Sequence, residues 1–281
     1  GTADTKGSMA AMLAALHTLV CTRPDANLMM LATCAEENSC EGVESVDLSD
    51  WPIGGIVVGE PTDNRPVTAH KAHASFQLVA EGAAAHGAHP EAGTNAIYAM
   101  ARTIECLRRN TIPALNAHDH ERLGASTLSV NRIEGGTRAN MVPARCTAVV
   151  DMRLVPPYRT PPVLGRSLYT LREEHHLPVR LGWRHEAPGL DADPNSPVVR
   201  CLREALGTHC RATPPEAVNY CTDAGRLASR GYDTVVFGPG SILQAHSSEE
   251  FIELPELEAA AEILTETGRR FLDAQTPGKE R

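Results

Sequence analysis

The stretch SFQLVAEGAAAHGAHPEAGTNAIYAMARTIECL, Ser75 to Leu107, contains the change of pattern that decides the fold. Residues Ser75–Val79 alternate between polar and apolar side chains, as a half-exposed strand does. After Pro90, apolar residues recur at helical spacing: Ala96, Ile97, Met100, Ile104 and Leu107. We therefore predict a strand over Ser75–Val79, followed by a helix over Pro90–Leu107 that has a proline near its start.

The segments that follow continue this pattern. We predict strands over Thr127–Val130, Cys146–Met152 and Leu177–Trp183, a turn at Gly135–Gly136 and a helix over Pro162–Glu174. The resulting order, β-α-β-β-α-β, is the ferredoxin-like arrangement. Residues 67–184 are therefore expected to form a complete small domain, inserted into a larger domain made of residues 1–66 and 185–281.

The larger domain alternates amphipathic helices with short apolar runs. Helices are predicted over Ser8–Val20, Pro197–Leu206 and Pro255–Leu272, and strands over Leu28–Thr33, Gly55–Val58 and Thr234–Phe237. Continuous apolar runs of this length are typical of strands that are buried on both faces. The predicted fold class is α/β, with a mixed or parallel sheet covered by helices.

Composition excludes several classes of function. The chain has 281 residues and a net charge of −9, which disfavours a nucleic-acid or anionic-membrane surface. No apolar run approaches the roughly 20 residues of a membrane helix. The eight cysteines form no CxxC pairs, so we expect reduced thiols in a cytoplasmic protein.

Acidic residues and one histidine lie near the ends of elements that can share one crevice. They are Asp4, Glu36, Glu37, Glu60 and His246. Ligands of open parallel sheets bind outside the carboxyl ends of the strands, so these side chains are candidates for a single site. Four carboxylates in one crevice repel each other, and a metal ion compensates for this best. A set with Asp, Glu and His but no Cys suits zinc, cobalt or manganese.

Each of these residues also has an ordinary structural explanation. An aspartate before a helix, such as Asp4, often caps that helix. A Glu-Glu pair such as Glu36–Glu37 is common in solvated loops, and a histidine near a turn, such as His246, is often structural or exposed. Spacing alone leaves both explanations open.

Five ordered motifs resemble one enzyme family. They are DTKG (Asp4–Gly7), AEE (Ala35–Glu37), GEPT (Gly59–Thr62), AHGAHPEAGTNAI (Ala85–Ile97) and GPGSILQAH (Gly238–His246). The chain is similar to the two-metal amidohydrolases that include acetylornithine deacetylase, succinyl-diaminopimelate desuccinylase, glutamate carboxypeptidase and aminoacylase. Within that family, RPVTAHKAH (Arg65–His73), VNYCTDA (Val218–Ala224) and GPGSILQAH look most like the acetylornithine deacetylases.

The resemblance implies roles for the clustered residues. Asp4 matches the residue that bridges the two metals, Glu36 the general base, and Glu37, Glu60 and His246 the metal ligands. The implied reaction is hydrolysis of the amide bond of an N-acyl amino acid, with zinc or cobalt as cofactor. The implied substrate is N-acetylornithine, which yields ornithine and acetate in arginine biosynthesis.

The inserted domain resembles the lid and dimerisation domain of that family, which implies a homodimer. His86 matches a lid histidine that donates to the developing oxyanion from the neighbouring subunit. Asn140 and Arg153 match polar lid positions that face substrate, and Thr222 is a further candidate. A surface position remains open for His86, a surface ion pair for Arg153, and a packed thiol for Cys221.

One departure from the family concerns the H-x-D motif that precedes the bridging aspartate. The chain begins at the bridging motif, so we expect the first strands of the larger domain to be absent. Asp4, Glu37 and His246 form one full ligand set, and we predict at most one tightly bound metal per chain. Two alternatives stay open: a desuccinylase, dipeptidase or carboxypeptidase of the same family, and a non-catalytic fragment that dimerises.

Overall fold

The computed structural model describes residues 1–38, 40–156 and 160–275. The α-helices of this part are α1 (Gly7–Thr22), α2 (Glu41–Glu44), α3 (Ala96–Cys106), α4 (Ile112–Leu115), α5 (Thr160–Tyr169), α6 (Pro197–Thr208), α7 (Asp223–Ser229) and α8 (Leu254–Gln275). Other helical turns lie at Thr2–Lys6, Glu36–Asn38, Pro90–Ala92, Leu107–Thr111, Thr170–Glu174 and Ile242–Gln244.

The strands are β1 (Ile56–Val58), β2 (Val67–His70), β3 (Ala72–Glu81), β4 (Ala85–His86), β5 (Asp119–His120), β6 (Gly124–Ala125), β7 (Thr127–Gly135), β8 (Met141–Val142), β9 (Arg145–Leu154), β10 (Val179–Ala187), β11 (Leu190–Asp191), β12 (Glu216–Val218) and β13 (Thr234–Val236). The chain divides into two compact units. The first unit comprises Gly1–His70, Leu190–Val218 and the chain from Thr222 onward, and the inserted unit comprises Lys71–Gly189 and Asn219–Cys221.

The inserted unit is built on a four-stranded antiparallel sheet in the order β10-β3-β9-β7. Along the chain, its long elements follow each other as β3, α3, β7, β9, α5 and β10, which confirms the ferredoxin-like order. One face of the sheet carries Phe76, Leu78 and Val150 into a core shared with Met100 of α3 and Leu164 of α5. The alternation from Ser75 to Val79 therefore reflects a sheet with one covered face.

The first unit contains a mixed sheet. Strands β1 and β13 are parallel, β13 and β2 are antiparallel, and β2 pairs with both β11 and β12. Helices α1, α6 and α8 share a core with β13, which includes Leu202, Val235, Phe237 and Ile263. This arrangement confirms the predicted α/β class with a mixed sheet.

The strand predicted over Leu28–Thr33 is wrong for the described chain. This segment has no regular secondary structure, and no strand in the described ranges pairs with it. Met29 and Leu31 are 49% and 40% exposed. An apolar run becomes a strand only where a neighbour accepts and donates its backbone hydrogen bonds, and none of the described strands does so here.

The helix predicted over Pro90–Leu107 begins later, at Ala96. Pro90–Ala92 forms a separate turn, and Gly93 is extended. Asn95 then caps α3, because its side chain accepts hydrogen bonds from the backbone N–H groups of Ile97 (2.9 Å) and Tyr98 (3.2 Å). The N-cap preference of asparagine outweighs the proline as a start signal.

None of the described helices combines the length and the apolar character needed to cross a lipid bilayer. All eight cysteines are free thiols, as their scattered spacing predicts.

Candidate metal centre

The pairing of β1 with β13 brings two parts of the site to one edge of the sheet. The two strands are parallel, with Val58 opposite Val236, so their carboxyl ends point the same way. Glu60 lies two residues after β1, and His246 lies on the loop that follows β13. This is the edge at which ligands of open parallel sheets bind.

Three predicted site residues converge on one point. Nε2 of His246 lies 2.8 Å from Oε1 of Glu37 and 3.3 Å from Oδ2 of Asp4. One potential ligand atom from each side chain falls within 4.8 Å of the others. The side chain of Asp4 is 15% exposed, whereas those of Glu37 and His246 are 60% and 67% exposed. The cluster therefore has a buried base and an open mouth.

The environment of this cluster shifts the pKa values of Asp4 and His246. Burial, followed by the charge of Glu37, raises the pKa of Asp4, although His246 partly offsets this. The charge and hydrogen bond of Glu37, followed by those of Asp4, raise the pKa of His246. A protonated His246 thus compensates for two carboxylates, and a metal ion would compete with that proton for the same atoms.

Glu60 is the most buried acid of the group, at 6% exposure. Burial raises its pKa well above the ordinary value, and the charges of Glu36, Asp4, Asp223 and Glu37 raise it further. Since charge repulsion reaches Glu60 from each of these acids, they share one region of the first unit. A buried carboxyl surrounded by acids favours either a bound proton or a nearby cation.

The Glu36–Glu37 pair sits on a tight turn. The turn Glu36–Asn38 follows Ala35, whose φ is +58°, and precedes Cys40, whose φ is +56°. Non-glycine residues rarely occupy this left-handed region, so the backbone is locally strained. Glu36 is half-buried, and Sγ of Cys40 lies 3.8 Å from its Oε1. The alternative that this pair lies in a solvated loop is therefore only partly correct, because Glu37 is mostly exposed but Glu36 is half-buried.

Two acids of this region were not found from the sequence. Oε1 of Glu250 accepts hydrogen bonds from the backbone N–H groups of Ala3 (2.6 Å) and Asp4 (2.8 Å). Oδ2 of Asp223 accepts one from the hydroxyl of Thr33 (2.7 Å), while its Oδ1 is buried without a hydrogen-bond partner. Glu250 stands in a Glu-Glu pair that looks solvated, so the sequence carries no signal for it. Asp223 lies inside the VNYCTDA motif, which was the available signal.

Two predicted residues of the inserted unit lie on adjacent segments. Strands β4 and β8 pair His86 with Met141, and the N–H of Gly87 donates to the carbonyl of Asn140 at 2.8 Å. His86 is exposed, and its Nδ1 accepts a hydrogen bond from the N–H of Ala88 at 3.1 Å. A neutral imidazole in this state carries its proton on Nε2, which is free to act as a donor.

Arg153 is held in an ion pair within the inserted unit. Its Nε lies 3.0 Å from Oδ1 of Asp151, and Oδ2 of Asp151 lies 3.0 Å from Nε2 of His73. Burial alone would raise the pKa of Asp151, but the hydrogen bonds from His73 and Arg153 outweigh it and lower that pKa. The ion pair that the sequence left open therefore forms, and the Arg153 side chain remains 35% exposed beside it.

The interpretation of Thr222 as a substrate contact requires correction. Thr222 is completely buried, and its hydroxyl accepts a hydrogen bond from the N–H of Ala224 (3.1 Å), which caps α7. The same hydroxyl lies 3.1 Å from Nε2 of His70. A side chain with no exposed surface and these two partners stabilises the fold. Sγ of Cys221 lies 3.6 Å from the carbonyl of Pro188, as expected for a packed thiol.

The residues present suit a divalent cation. Two carboxylate oxygens and one imidazole nitrogen already lie within 4.8 Å of one another, which is a workable three-ligand set for zinc. Burial, followed by the charges of neighbouring acids, raises the pKa values of Asp4 and Glu60, so their ionised forms call for compensating charge. A cation placed here would supply it.

Comparisons with known proteins show which family the chain resembles. A family model described as peptidase dimerisation domain matches residues 68–176. The acetylornithine deacetylase of Edwardsiella ictaluri (strain 93-146) is 31% identical over 286 residues, which cover 96% of this chain and 71% of that protein. That of Pectobacterium carotovorum (strain PC1) is 31% identical over 283 residues, with the same coverage.

Solved structures show the same fold at lower identity. A tripeptidase of Staphylococcus aureus aligns with a TM-score of 0.78 at 18% identity, over 95% of this chain and 70% of its own. A dinuclear metal-binding M20 peptidase of Bacillus subtilis aligns with a TM-score of 0.69 at 14% identity, over 95% and 72% of the two chains.

Proposed function

This chain belongs to the M20 family of metal-dependent amidohydrolases and peptidases, which includes the acetylornithine deacetylases, and we propose that it hydrolyses the amide bond of N-acyl amino acids. The proposed substrate is N-acetylornithine, which would give ornithine and acetate. The convergence of Asp4, Glu37 and His246 on one point carries the proposal, because it supplies a ligand set where the family needs one.

The proposed cofactor is a single tightly bound zinc or cobalt ion. Asp4, Glu37 and His246 would hold it, and Glu60 would add a carboxylate beside them. When bound, such an ion supplies a Lewis acid and lowers the pKa of water toward neutrality. Elemental analysis after dialysis is expected to give one metal per chain, and two metals of near-equal affinity would contradict this stoichiometry.

Glu36 is the proposed general base. It stands next to the ligand Glu37, so its carboxylate can take a proton from the attacking water at the same site. It would then return that proton to the leaving amine, since acid and base steps of amide hydrolysis are separated in time. Such a proton shuttle is typically worth about 10²–10⁴ in rate.

His86 is the proposed donor to the developing oxyanion. The N–H of Ala88 occupies its Nδ1, so the neutral ring presents Nε2–H to a substrate oxygen. Following the family pattern, we propose that His86 acts in the site of a partner subunit and that the chain works as a homodimer. Asn140 and Arg153 are proposed to face the substrate from the same unit.

Hydrolysis assays test the substrate. The purified chain is incubated with zinc or cobalt and with N-acetylornithine, N-succinyl-diaminopimelate or simple dipeptides, and Glu36→Gln serves as the inactive control. We expect N-acetylornithine to be turned over fastest. Faster cleavage of the succinyl compound or of dipeptides would assign the chain to another reaction of the family. Metal binding without turnover of any substrate would favour the non-catalytic dimer.

Subunit mixing tests the proposed role of His86. Glu36→Gln and His86→Ala are both expected to be nearly inactive alone, since loss of an oxyanion donor costs about 10²–10³ in kcat. Mixed dimers contain one site with an intact Glu36 and an intact partner His86, so mixing the two variants is expected to restore activity. If mixing restores none, His86 does not act across the dimer.

A further inference from the structure

One loop carries both a predicted ligand and a partly buried acid to which the family pattern gives no role. The loop between β13 and α8 contains His246 and, four residues later, Glu250. The side chain of Glu250 is only 11% exposed. Its Oε1 accepts the backbone N–H groups of Ala3 (2.6 Å) and Asp4 (2.8 Å), and its Oε2 contacts the amino group of Gly1.

The hydrogen bonds to Glu250 fall on backbone that has no regular partner. Asp4 lies outside helical geometry, with φ −117° and ψ +91°, so its N–H is not satisfied within a helix. An unpaired N–H in a buried segment is costly, whereas a carboxylate that accepts two N–H groups forms charge-assisted bonds. Glu250 therefore fixes the backbone from which the Asp4 carboxylate projects.

Packing reinforces the same contact between the loop and the Asp4 segment. Ala3 is completely buried, and Gly240 adopts a φ of +84° beside it. A Cβ on Gly7 would overlap Ile252, so the segment leading into α1 lies directly on the loop. The loop that presents His246 thus also holds the segment that presents Asp4.

An additional acid beside an acidic cluster has an electrostatic cost. Glu250 accepts a hydrogen bond from the backbone of Asp4, next to a group that already contains Asp4, Glu37 and Glu60. A neutral acceptor would avoid this repulsion. The two backbone hydrogen bonds and the contact with the Gly1 amino group offset this cost, and the two backbone bonds depend on the reach and geometry of the Glu250 side chain.

We propose that Glu250 is a positioning residue that anchors the backbone of Asp4, so that its carboxylate meets His246 in a geometry ready to bind a divalent cation. The proposal deepens the proposed function, because it takes the cation of that site as the ligand. Loss of partners that orient metal ligands typically lowers metal affinity by about 10–100-fold.

Two substitutions separate reach from charge. Glu250→Gln keeps the length of the side chain and an acceptor oxygen but removes the charge. Glu250→Asp keeps the charge but withdraws the carboxylate by one methylene. Glu249→Gln, at the exposed neighbour, is the matched control for loss of one acidic charge.

Zinc affinity is measured by competition with a chromophoric chelator, and protection of the Ala3 and Asp4 amides by hydrogen exchange without metal. We expect Glu250→Asp to bind zinc about tenfold or more weakly and to exchange these amides faster. Glu250→Gln and Glu249→Gln are expected to stay close to the wild type in both measurements. Weak binding by Glu250→Gln with normal binding by Glu250→Asp would overturn the proposal, as would unchanged amide protection in Glu250→Asp.

The two readouts keep this proposal separate from the proposed function. A wild-type chain that binds no zinc would contradict the metal-dependent function. The exchange of the Ala3 and Asp4 amides would still show whether Glu250 anchors that backbone.

Discussion

Glu60 in the first unit and Asp151 in the inserted unit are both carboxyl groups whose pKa values burial would raise, yet the two pKa values move in opposite directions. Burial raises that of Glu60, and the surrounding acids raise it further. Asp151 also feels burial, but His73 and Arg153 donate to it and lower its pKa. Both carboxyl groups feel burial, and the direction of the pKa shift differs because the neighbours of Glu60 are acids whereas those of Asp151 are hydrogen-bond donors.

The contrast separates the candidate metal site from an ion-pair cluster whose charges are already paired. Asp151 has two fixed cationic or polar partners about 3.0 Å away, so its charge is satisfied within the inserted unit. Asp4 and Glu37 share a single imidazole, and Glu60 is repelled by the acids around it. A bound cation can therefore compensate for the carboxylate charges of the first unit, whereas the charge of Asp151 is already compensated by its partners.

The largest expected effect is a loss of activity on substitution of Glu36, which is the proposed general base and not a proposed metal ligand. Glu36→Gln removes the proposed base but leaves the three ligands, so we expect kcat to fall by about 10²–10⁴ while zinc affinity stays unchanged. Hydrolysis of N-acetylornithine and equilibrium dialysis measure the two quantities. Glu41→Gln, an exposed neighbour, is the control. Full activity in Glu36→Gln would exclude the assigned role.

Zinc is expected to stabilise the protein through the first unit. At 100 times its dissociation constant, zinc should raise the free energy of unfolding of the wild type by about 2.7 kcal/mol. Glu37→Gln should lose most of this gain, because it removes one of three ligands, whereas Asp151→Asn should keep it. Chemical denaturation with and without zinc is the measurement. If Glu37→Gln and Asp151→Asn lost equal parts of the zinc-dependent free energy of unfolding, zinc would not act specifically through the first unit.

Without metal, the two carboxyl groups should respond oppositely to neutralisation. Glu60→Gln removes a buried carboxyl that must either hold a proton or be repelled by the surrounding acids. We therefore expect it to stabilise the metal-free protein at neutral pH by on the order of 1 kcal/mol, about 2–4 °C in Tm. Asp151→Asn removes a satisfied partner and should destabilise it. Thermal unfolding in the presence of a chelator is the measurement, and destabilisation by Glu60→Gln would contradict the explanation.

The sequence was sufficient for the inserted unit because its pattern is local. Alternation from Ser75 to Val79 and helical spacing after Ala96 each follow from one element facing one core. The strand prediction for Leu28–Thr33 failed because a strand also needs a hydrogen-bonded partner strand, which an apolar run does not reveal. The predicted start of α3 was six residues too early, because the helix begins after the Asn95 cap and not at Pro90.

The candidate site was predictable as far as motifs reached. Asp4, Glu37 and His246 come from segments far apart in sequence, and their motifs identified them before the structure brought them together. Glu250 and Asp223 act through contacts with the backbone of Ala3 and with Thr33, which no local pattern encodes. The prediction of Thr222 as a substrate contact failed because its position in the motif indicates proximity to the site but not the direction in which its hydroxyl points.

The smallest expected effect is the pH dependence of the Asp151 contacts. The pKa of Asp151 is lower in the folded state than its ordinary value of 3.8, so its stabilising contribution is present above that value. The contribution is lost as the pH falls through the lower, folded pKa, because protonation then removes the charge that His73 and Arg153 bind.

Urea unfolding at pH 7, 5 and 3 measures the effect as the difference between the wild type and Asp151→Asn. Because Asp151 is partly exposed, solvent screening keeps this difference below about 1 kcal/mol at pH 7. It should remain at pH 5 and shrink at pH 3, whereas Asp119→Asn, at an exposed position of the same unit, should show little difference at any pH. A difference that grows toward pH 3 would mean that Asp151 is destabilised by its surroundings, as Glu60 is, and the contrast between the two units would fail.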